Sequence, residues 1–364
     1  MKILHITPDI YIGGVATLLQ EMTRFQRENG HKVSILCSTN TEDQIRRQTL
    51  FTSNGVDVRF SQYKNRYNPL KIIEIKRIIE DYDVIHVHLF PNQLIARIAF
   101  HFARKKTRKI LITTEHSTYN NRRKYRIFKL FDRWLYNGYD AIIGISNQTE
   151  FNLRKWLGNK YSSTNKVLTI QNGINLQRFQ CINQPRNSER IIIMVSRLEY
   201  PKDPFTLLRA IAKSESNPIV QFVGSGNLLK EIIEFAKSLN IENRVQLLGN
   251  RNDIPQLLSN ANIGVLSTNW EGFGIVAVEY MAAGLPILAS NVEGLREVVG
   301  DDESLFEVGD ADELQKKIDN LLCDNSTYNK KSIFFRNRSQ EFDITKMNQK
   351  YIEVYESLLS ERID

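Results

Sequence analysis

The stretch 269-NWEGFGIVAVEYMAAGLP-286 sets a glutamate, Glu279, in the middle of an apolar run, with a second glutamate, Glu271, and two glycines just ahead of it. A carboxylate buried there without a partner costs on the order of several kcal/mol, so the pattern calls for something that binds it. The run follows an apolar strand-like segment, IGVLS, and is closed by Gly284 and Pro286; it reads as strand, loop and a helix of about ten residues. The amides of Phe273, Gly274 and Ile275 open that helix, and a helix amino terminus favours a phosphate without any side-chain charge. Glu279 lies about 7 Å farther along the axis at ~1.5 Å per residue, the reach from a pyrophosphate to the ribose hydroxyls of the same nucleotide. Glu271, ahead of the helix, faces whatever group the phosphate carries. The plainer alternative is a Glu279 paired structurally with a buried cation.

The rest of the chain supplies a scaffold for such a site. Its 364 residues exceed one comfortable core and suggest two domains. Strand-like runs alternate with helical stretches, the mark of parallel α/β sheets: KILHIT, HKVSILC, VDVRFS, DVIHVHL, ILITTE and AIIGIS in the first half, then RIIIMVS, IVQFVG, RVQLLG, IGVLS and PILAS. The polar segment QCINQPRNSER with Pro185 separates the two series, placing the domains at 1–182 and 183–343. An amphipathic helix from about Ile344 to Leu359, with Met347, Tyr351, Val354 and Leu358 on one stripe, is expected to pack back on the first domain. Three well-separated cysteines, Cys37, Cys181 and Cys323, support neither a disulfide framework nor a zinc site and point to a reducing cytosol. The apolar segment of MKILHITPDI is too short for a signal-peptide core, and no uncharged apolar stretch is long enough to span a membrane.

In open parallel sheets, ligands bind beyond the carboxyl ends of the strands. Gly13 and Gly14 follow the first strand and precede a helix, a geometry that allows close backbone approach to an anion, although on its own such a pair is more often a tight βα connection. His116 follows the strand ILITTE; a polar loop histidine is its plain reading. His86 and His88 share one strand face, but two ligands without a third make a poor metal site, so they read as structural. Arg197 and Lys202, in the loop after RIIIMVS, suit a diphosphate. Gly224 and Gly226 stand at the next strand end and Gly249 at the one after, as the floor of a cleft requires. There is no GxGxxG and no GxxxxGK[ST], which removes the main support for a nicotinamide dehydrogenase or a P-loop ATPase.

EGFGIVAVE with YMAAGLP resembles the ExFGxxxxE signature of retaining glycosyltransferases of family 4, and GGV, GHKV, DVIHVH, TTEHS, QNGINLQRF, SRLEYPKD and VGSG recur in that family's order over nearly the whole chain. The resemblance implies the GT-B fold, two Rossmann-like doubly wound domains facing across a cleft, with an acceptor-side first domain and a nucleotide-sugar-binding second domain. It assigns the ribose hydroxyls to Glu279, the donor sugar's hydroxyls to Glu271 and the leaving diphosphate to Arg197 and Lys202. Phe273, Gly274 and Ile275 would supply amides, Gly14 and Gly224 would lie against the donor, and His116 would contact the sugar near the reacting carbon. His116, Arg197, Lys202 and Glu271 are thus the catalytic candidates. Asn175 and Asp203 depart from the family's usual residues without touching these positions. The implied reaction is hexosyl transfer with retention, from a nucleotide diphosphate sugar (a UDP-sugar slightly preferred to a GDP-sugar) to an acceptor hydroxyl of a lipid-linked or saccharide precursor of a surface polysaccharide.

No cofactor or metal is expected. Asp81 and Asp83 form a DYD, but ahead of a strand, and GDAD at 309–312 reads as a helix cap. Two other classes compete: a sugar-nucleotide oxidoreductase or epimerase, for which Tyr125 and Lys129 make a YxxxK, and a non-enzymatic basic binding module. The latter draws on charge. The formal net charge of +8 divides into +15 up to Gln180 and −7 beyond it. Basic residues at 104–133, Arg122, Arg123, Lys124 and Arg126 among them, are interleaved with aromatic and apolar ones, so that this segment reads either as a solvated face or as a basic amphipathic surface for an anionic leaflet. No nucleic-acid motif accompanies them. The expectation is a cytoplasmic enzyme docked peripherally on the inner face of the plasma membrane.

Overall fold

The computed structural model describes residues 1–10, 14–103, 109–117, 121–158, 161, 165–179 and 189–362. Gly13, the basic run at 104–108 and most of the expected linker, including Cys181 and Pro185, lie outside the described residues. The chain divides into two compact units, Met1–Gly173 with Ile344–Asp364, and Ile174–Asp343.

The first unit carries a seven-stranded sheet of β1 (Lys2–Thr7), β2 (Lys32–Cys37), β3 (Asp57–Phe60), β4 (Val84–His88), β5 (Ile110–Glu115), β6 (Ala141–Gly144) and β7 (Val167–Thr169), in the order β3-β2-β1-β4-β5-β6-β7. Every pairing is parallel, and the central strands are buried on both faces, which is why they read as continuous apolar runs. Alternation sends Leu4, Ile6, Ile85, Val87 and Leu111 into one core. Ile3, Val84, Ile110 and Ile112 enter another, covered by the helices Gly14–Glu28 and Ile344–Ser360. The latter helix buries Ile344, Met347, Tyr351 and Tyr355, the 3.6-residue stripe that makes the end of the chain part of this unit.

The second unit has β8 (Ile191–Val195), β9 (Ile219–Val223), β10 (Val245–Gly249), β11 (Ile263–Leu266), β12 (Ile287–Ser290) and β13 (Leu305–Phe306), in the order β10-β9-β8-β11-β12-β13, again all parallel. β7 and β13 are additions to the strands expected from pattern: at three and two residues they are too short to show a period. Strand order across each sheet reverses once, between β1 and β4 in the first and between β8 and β11 in the second. A ligand crevice forms at such a switch point.

Candidate active site

At the switch point of the second sheet the loops after β8 and β11 are laced together. Asp203 N–H donates to Ser267 O (3.0 Å) and Asn269 N–H to Pro201 O (2.9 Å), while Thr268 N–H reaches Ser290 Oγ, at the end of β12, at 2.9 Å. The lacing brings Lys202 and Glu271, 69 residues apart, into an ion pair. Both side chains are largely buried, and Gly272 N–H donates to the other Glu271 oxygen at 2.9 Å. Arg197 differs: its side chain is 76% exposed and is paired with Glu199. Asp203, one of the departures from the family pattern, caps the helix Pro204–Lys213 by accepting from Thr206 N–H (3.2 Å). It is therefore an N-cap residue.

The helix that carries Glu279 runs from Ile275 to Ala282. Gly274 enters it at φ 82°, and a Cβ there would come within 2.4 Å of Leu295 Cδ2, so only glycine fits. The first intrahelical bond is Ala277 N–H to Gly274 O (2.8 Å), which leaves the amides of the entering residues pointing out of the helix end. Phe273 is buried, edge-on to Phe342 at 5.6 Å, so its contribution to a ligand is its backbone. Tyr280 locks the helix to the sheet: Val195 N–H donates to its hydroxyl at 2.8 Å, and its ring fills the space that a Cβ on Gly264 would occupy. Gly284, at φ 72°, closes the helix with bonds from Gly284 N–H to Met281 O and Leu285 N–H to Tyr280 O, a Schellman ending.

Glu279 is half-buried one residue before this anchor. Among the described residues no hydrogen bond or ion pair engages its carboxylate. Desolvation pushes its pKa up to about 7, with Arg178 opposing. The alternative of a structural ion pair thus finds no cation within bonding distance among the described residues. Gly224, at φ 132°, sits where a Cβ would come within 2.0 Å of Ser196 O, so β8 and β9 end in bare backbone.

Gly14 and His116 belong to the first unit. Gly14 is exposed and begins its helix. His116 is half-buried and bonded to His88, and burial lowers its pKa to about 4 despite Glu115. His5 is the residue that sequence reasoning missed. The β1–β4 register sets it beside His86, and strand alternation adds His88, so three imidazoles have ligating atoms within 4.8 Å of one another. That supplies the third ligand whose lack argued against a metal site. Even so, every ring nitrogen of the three is taken: His5 by Gln26 and His88, His86 by Tyr355 and Thr114, and His88 by His5 and His116. The cluster is a hydrogen-bonded network.

The basic segment is redistributed. Arg122 lies 3.5 Å from Asp132 and stacks over Phe90, and Arg123 lies 3.3 Å from Glu115, with both arginines mostly buried. Burial acts to raise the Glu115 pKa, but Arg123 and hydrogen bonds from Tyr136 and Gln93 hold it below its ordinary value. Asp132 and Glu115 are thus the partners of Arg122 and Arg123, and a buried charge needs such a partner. Both arginines are engaged in these pairs and are not part of the exposed face. Lys124 and Arg126 remain exposed, beside Tyr125, Ile127 (78% exposed), Leu130 (71%) and Trp134 (48%). Among the described residues no helix is long and apolar enough to cross a membrane.

Residues 12–178 match the model of Glycosyltransferase Family 4, and residues 178–337 that of Glycosyl transferases group 1. The chain belongs to the family 4 glycosyltransferases, with the GT-B fold. This glycosyltransferase is 29% identical over 255 residues to UDP-Gal:alpha-D-GlcNAc-diphosphoundecaprenol alpha-1,3-galactosyltransferase of Escherichia coli, the match covering 64% of each chain. It is 25% identical over 289 residues to N-acetylgalactosamine-N,N'-diacetylbacillosaminyl-diphospho-undecaprenol 4-alpha-N-acetylgalactosaminyltransferase of Campylobacter jejuni, covering 77% of this chain and 78% of that one. In fold it is similar to Anabaena HepE in complex with UDP-glucose, with TM-score 0.84, 22% identity and coverage of 98% and 100%.

Proposed function

We propose that this glycosyltransferase moves a hexosyl unit from a UDP-sugar to a hydroxyl of a lipid-linked saccharide, with retention at the anomeric carbon and without a metal. The observation that carries the reading is the constellation at the second switch point: the Lys202–Glu271 pair, the open amides at 273–275 and, on the helix they open, Glu279, whose carboxylate no described residue hydrogen-bonds. A phosphate at the helix end and a ribose at Glu279 satisfy both the amides and the carboxylate. Lys202 and Arg197 then take the charge that develops on the leaving diphosphate, which oriented cations and amides stabilise strongly. With the diphosphate held by cations, its own oxygen is the base nearest the acceptor hydroxyl, and attack from that side retains configuration.

The lipid-linked acceptor rests on the two relatives whose names give diphosphoundecaprenol substrates. It also rests on the exposed apolar and basic face formed by Lys124, Tyr125, Arg126, Ile127, Leu130 and Trp134, a composition suited to the interface of an anionic leaflet. The first unit is then the acceptor side and the second the donor side. A thermal-shift panel of UDP, GDP and ADP with their sugar conjugates tests the donor. A ligand at 100 times its Kd stabilises by about 2.7 kcal/mol, and no stabilisation by any nucleotide diphosphate overturns the reading.

A further inference from the structure

On the sheet face covered by the helices Gly14–Glu28 and Ile344–Ser360, four side chains form one hydrogen-bonded file. Gln26 Oε1 lies 2.9 Å from His5 Nε2, His5 Nδ1 lies 3.1 Å from His88 Nε2, and His88 Nδ1 lies 3.0 Å from His116 Nε2. A neutral imidazole offers one N–H and one lone pair, whereas an amide oxygen only accepts. Direction therefore propagates from the amide end. His5 carries its proton on Nε2, which makes Nδ1 an acceptor; His88 must then donate from Nε2 and accept at Nδ1; and His116 must donate from Nε2. The Nδ1 of His116 is left as a lone pair that no described residue engages. The amide oxygen is the Gln26 atom turned to His5, and Gln26 Nε2 makes no hydrogen bond to a described residue. Tyr355 bonds His86 Nδ1 at 2.7 Å, so His86 stays outside the file.

We propose that Gln26, His5 and His88 are positioning residues that lock His116 as the Nε2–H tautomer, so that its Nδ1 is presented as an acceptor to a hydroxyl of a bound sugar. The sugar contact rests on the function proposed above. The file is a lock and not a proton path, because it ends on an amide, which is not a base. Burial keeps His5 and His116 near pKa 4 and His88 well below its ordinary value, so all three rings are neutral at pH 7 and the directional argument holds there. The choice of tautomer matters because the nitrogen facing the substrate is an acceptor in one form and a donor in the other.

Two-bond ¹⁵N–¹H spectra of the full chain labelled at histidine report which ring nitrogen carries the proton, with His116 assigned by loss of its signals in His116→Gln. The wild type at pH 8 is expected to show His116 protonated on Nε2. Gln26→Leu, which removes the terminal acceptor, is expected to collapse the separation between the two His116 nitrogen shifts as both tautomers populate. Gln26→Glu, which restores an acceptor, is expected to recover it. A wild-type His116 protonated on Nδ1, or unchanged His116 shifts in Gln26→Leu, overturns the lock; the wild-type spectrum alone decides if the leucine variant does not fold. Turnover by His116→Ala tests the underlying reading separately. Wild-type turnover there overturns the sugar contact, whatever the spectra show.

Discussion

Lys202 and Glu271 are each other's ion-pair partner at the carboxyl edge of the second sheet, although the proposed reaction sends one to the leaving diphosphate and the other to the transferred sugar. The pair holds both groups in place, and a donor that binds between them replaces one partly buried charge contact by two. Lys202→Ala therefore removes both the diphosphate cation and the restraint on Glu271, and turnover is expected to fall about 10² to 10³-fold, as for other lost contacts to a developing anion. Arg197→Ala, at an exposed position, is expected to slow turnover with less effect on the fold. Wild-type turnover in either variant, measured as release of nucleotide diphosphate, contradicts the assigned roles.

Glu279 makes the protein sensitive to pH in two opposite ways. Its carboxyl pKa is raised to about 7 from the ordinary 4.5, so in this range the folded state holds a proton that the unfolded state has released, and stability is lost as pH rises from about 4.5 to about 7. Glu279→Gln is expected to melt higher than the wild type at pH 8 and to converge with it near pH 4.5. Nucleotide binding runs the other way, because ribose hydroxyls need the ionised form. Calorimetry of UDP binding at pH 7 in two buffers of different ionisation enthalpy is expected to show a net proton release that is smaller in Glu279→Gln. Glu279→Ala is expected to weaken nucleotide binding.

Tyr280 is the residue that holds Glu279 at a fixed height above the sheet. Tyr280→Phe leaves the partly buried Val195 N–H without its hydroxyl acceptor, a loss of ~1–3 kcal/mol. Gly264→Ala puts a methyl 2.3 Å from the Tyr280 ring, and overpacking of this kind costs ~1–3 kcal/mol. Denaturant unfolding curves check both, and wild-type stability in Gly264→Ala contradicts the clamp.

Membrane docking is expected to depend on the exposed apolar residues more than on the inner arginines. Ile127→Ser with Leu130→Ser and Trp134→Ser should release the protein from vesicles rich in anionic lipid. Lys124→Ser with Arg126→Ser should weaken binding by roughly 1 kcal/mol per charge at low salt. Arg122→Ser and Arg123→Ser strip the partners from Asp132 and Glu115 and should lower the melting temperature instead. Equal sedimentation with neutral vesicles, or none with anionic ones at low salt, leaves a soluble acceptor as the better reading.

Retention and metal independence are checked together. The anomeric configuration of the earliest product, read by NMR, should match that of the donor, and activity should persist in a chelator. Inversion contradicts the proposed chemistry, and activity lost in chelator but restored by manganese argues for a bound cation.

Much of this was legible from sequence because it is encoded locally. The continuous apolar, β-branched runs marked eleven of the strands, Gly274 and Gly284 bracketed the helix that carries Glu279, and the Asp310 cap was readable from GDAD, where it accepts from Glu313 N–H at 2.8 Å. β7 and β13 were too short to leave a period. What only the tertiary structure decided are the partnerships between distant side chains: Lys202 with Glu271, Arg122 with Asp132, Arg123 with Glu115, and His5 with His88. A propensity or a turn is settled within a few residues of chain, whereas these pairings follow from strand order and register. That β4 crosses back to lie beside β1, with His86 opposite His5, is a consequence of how the first sheet and its helices exclude water, and no short segment carries it.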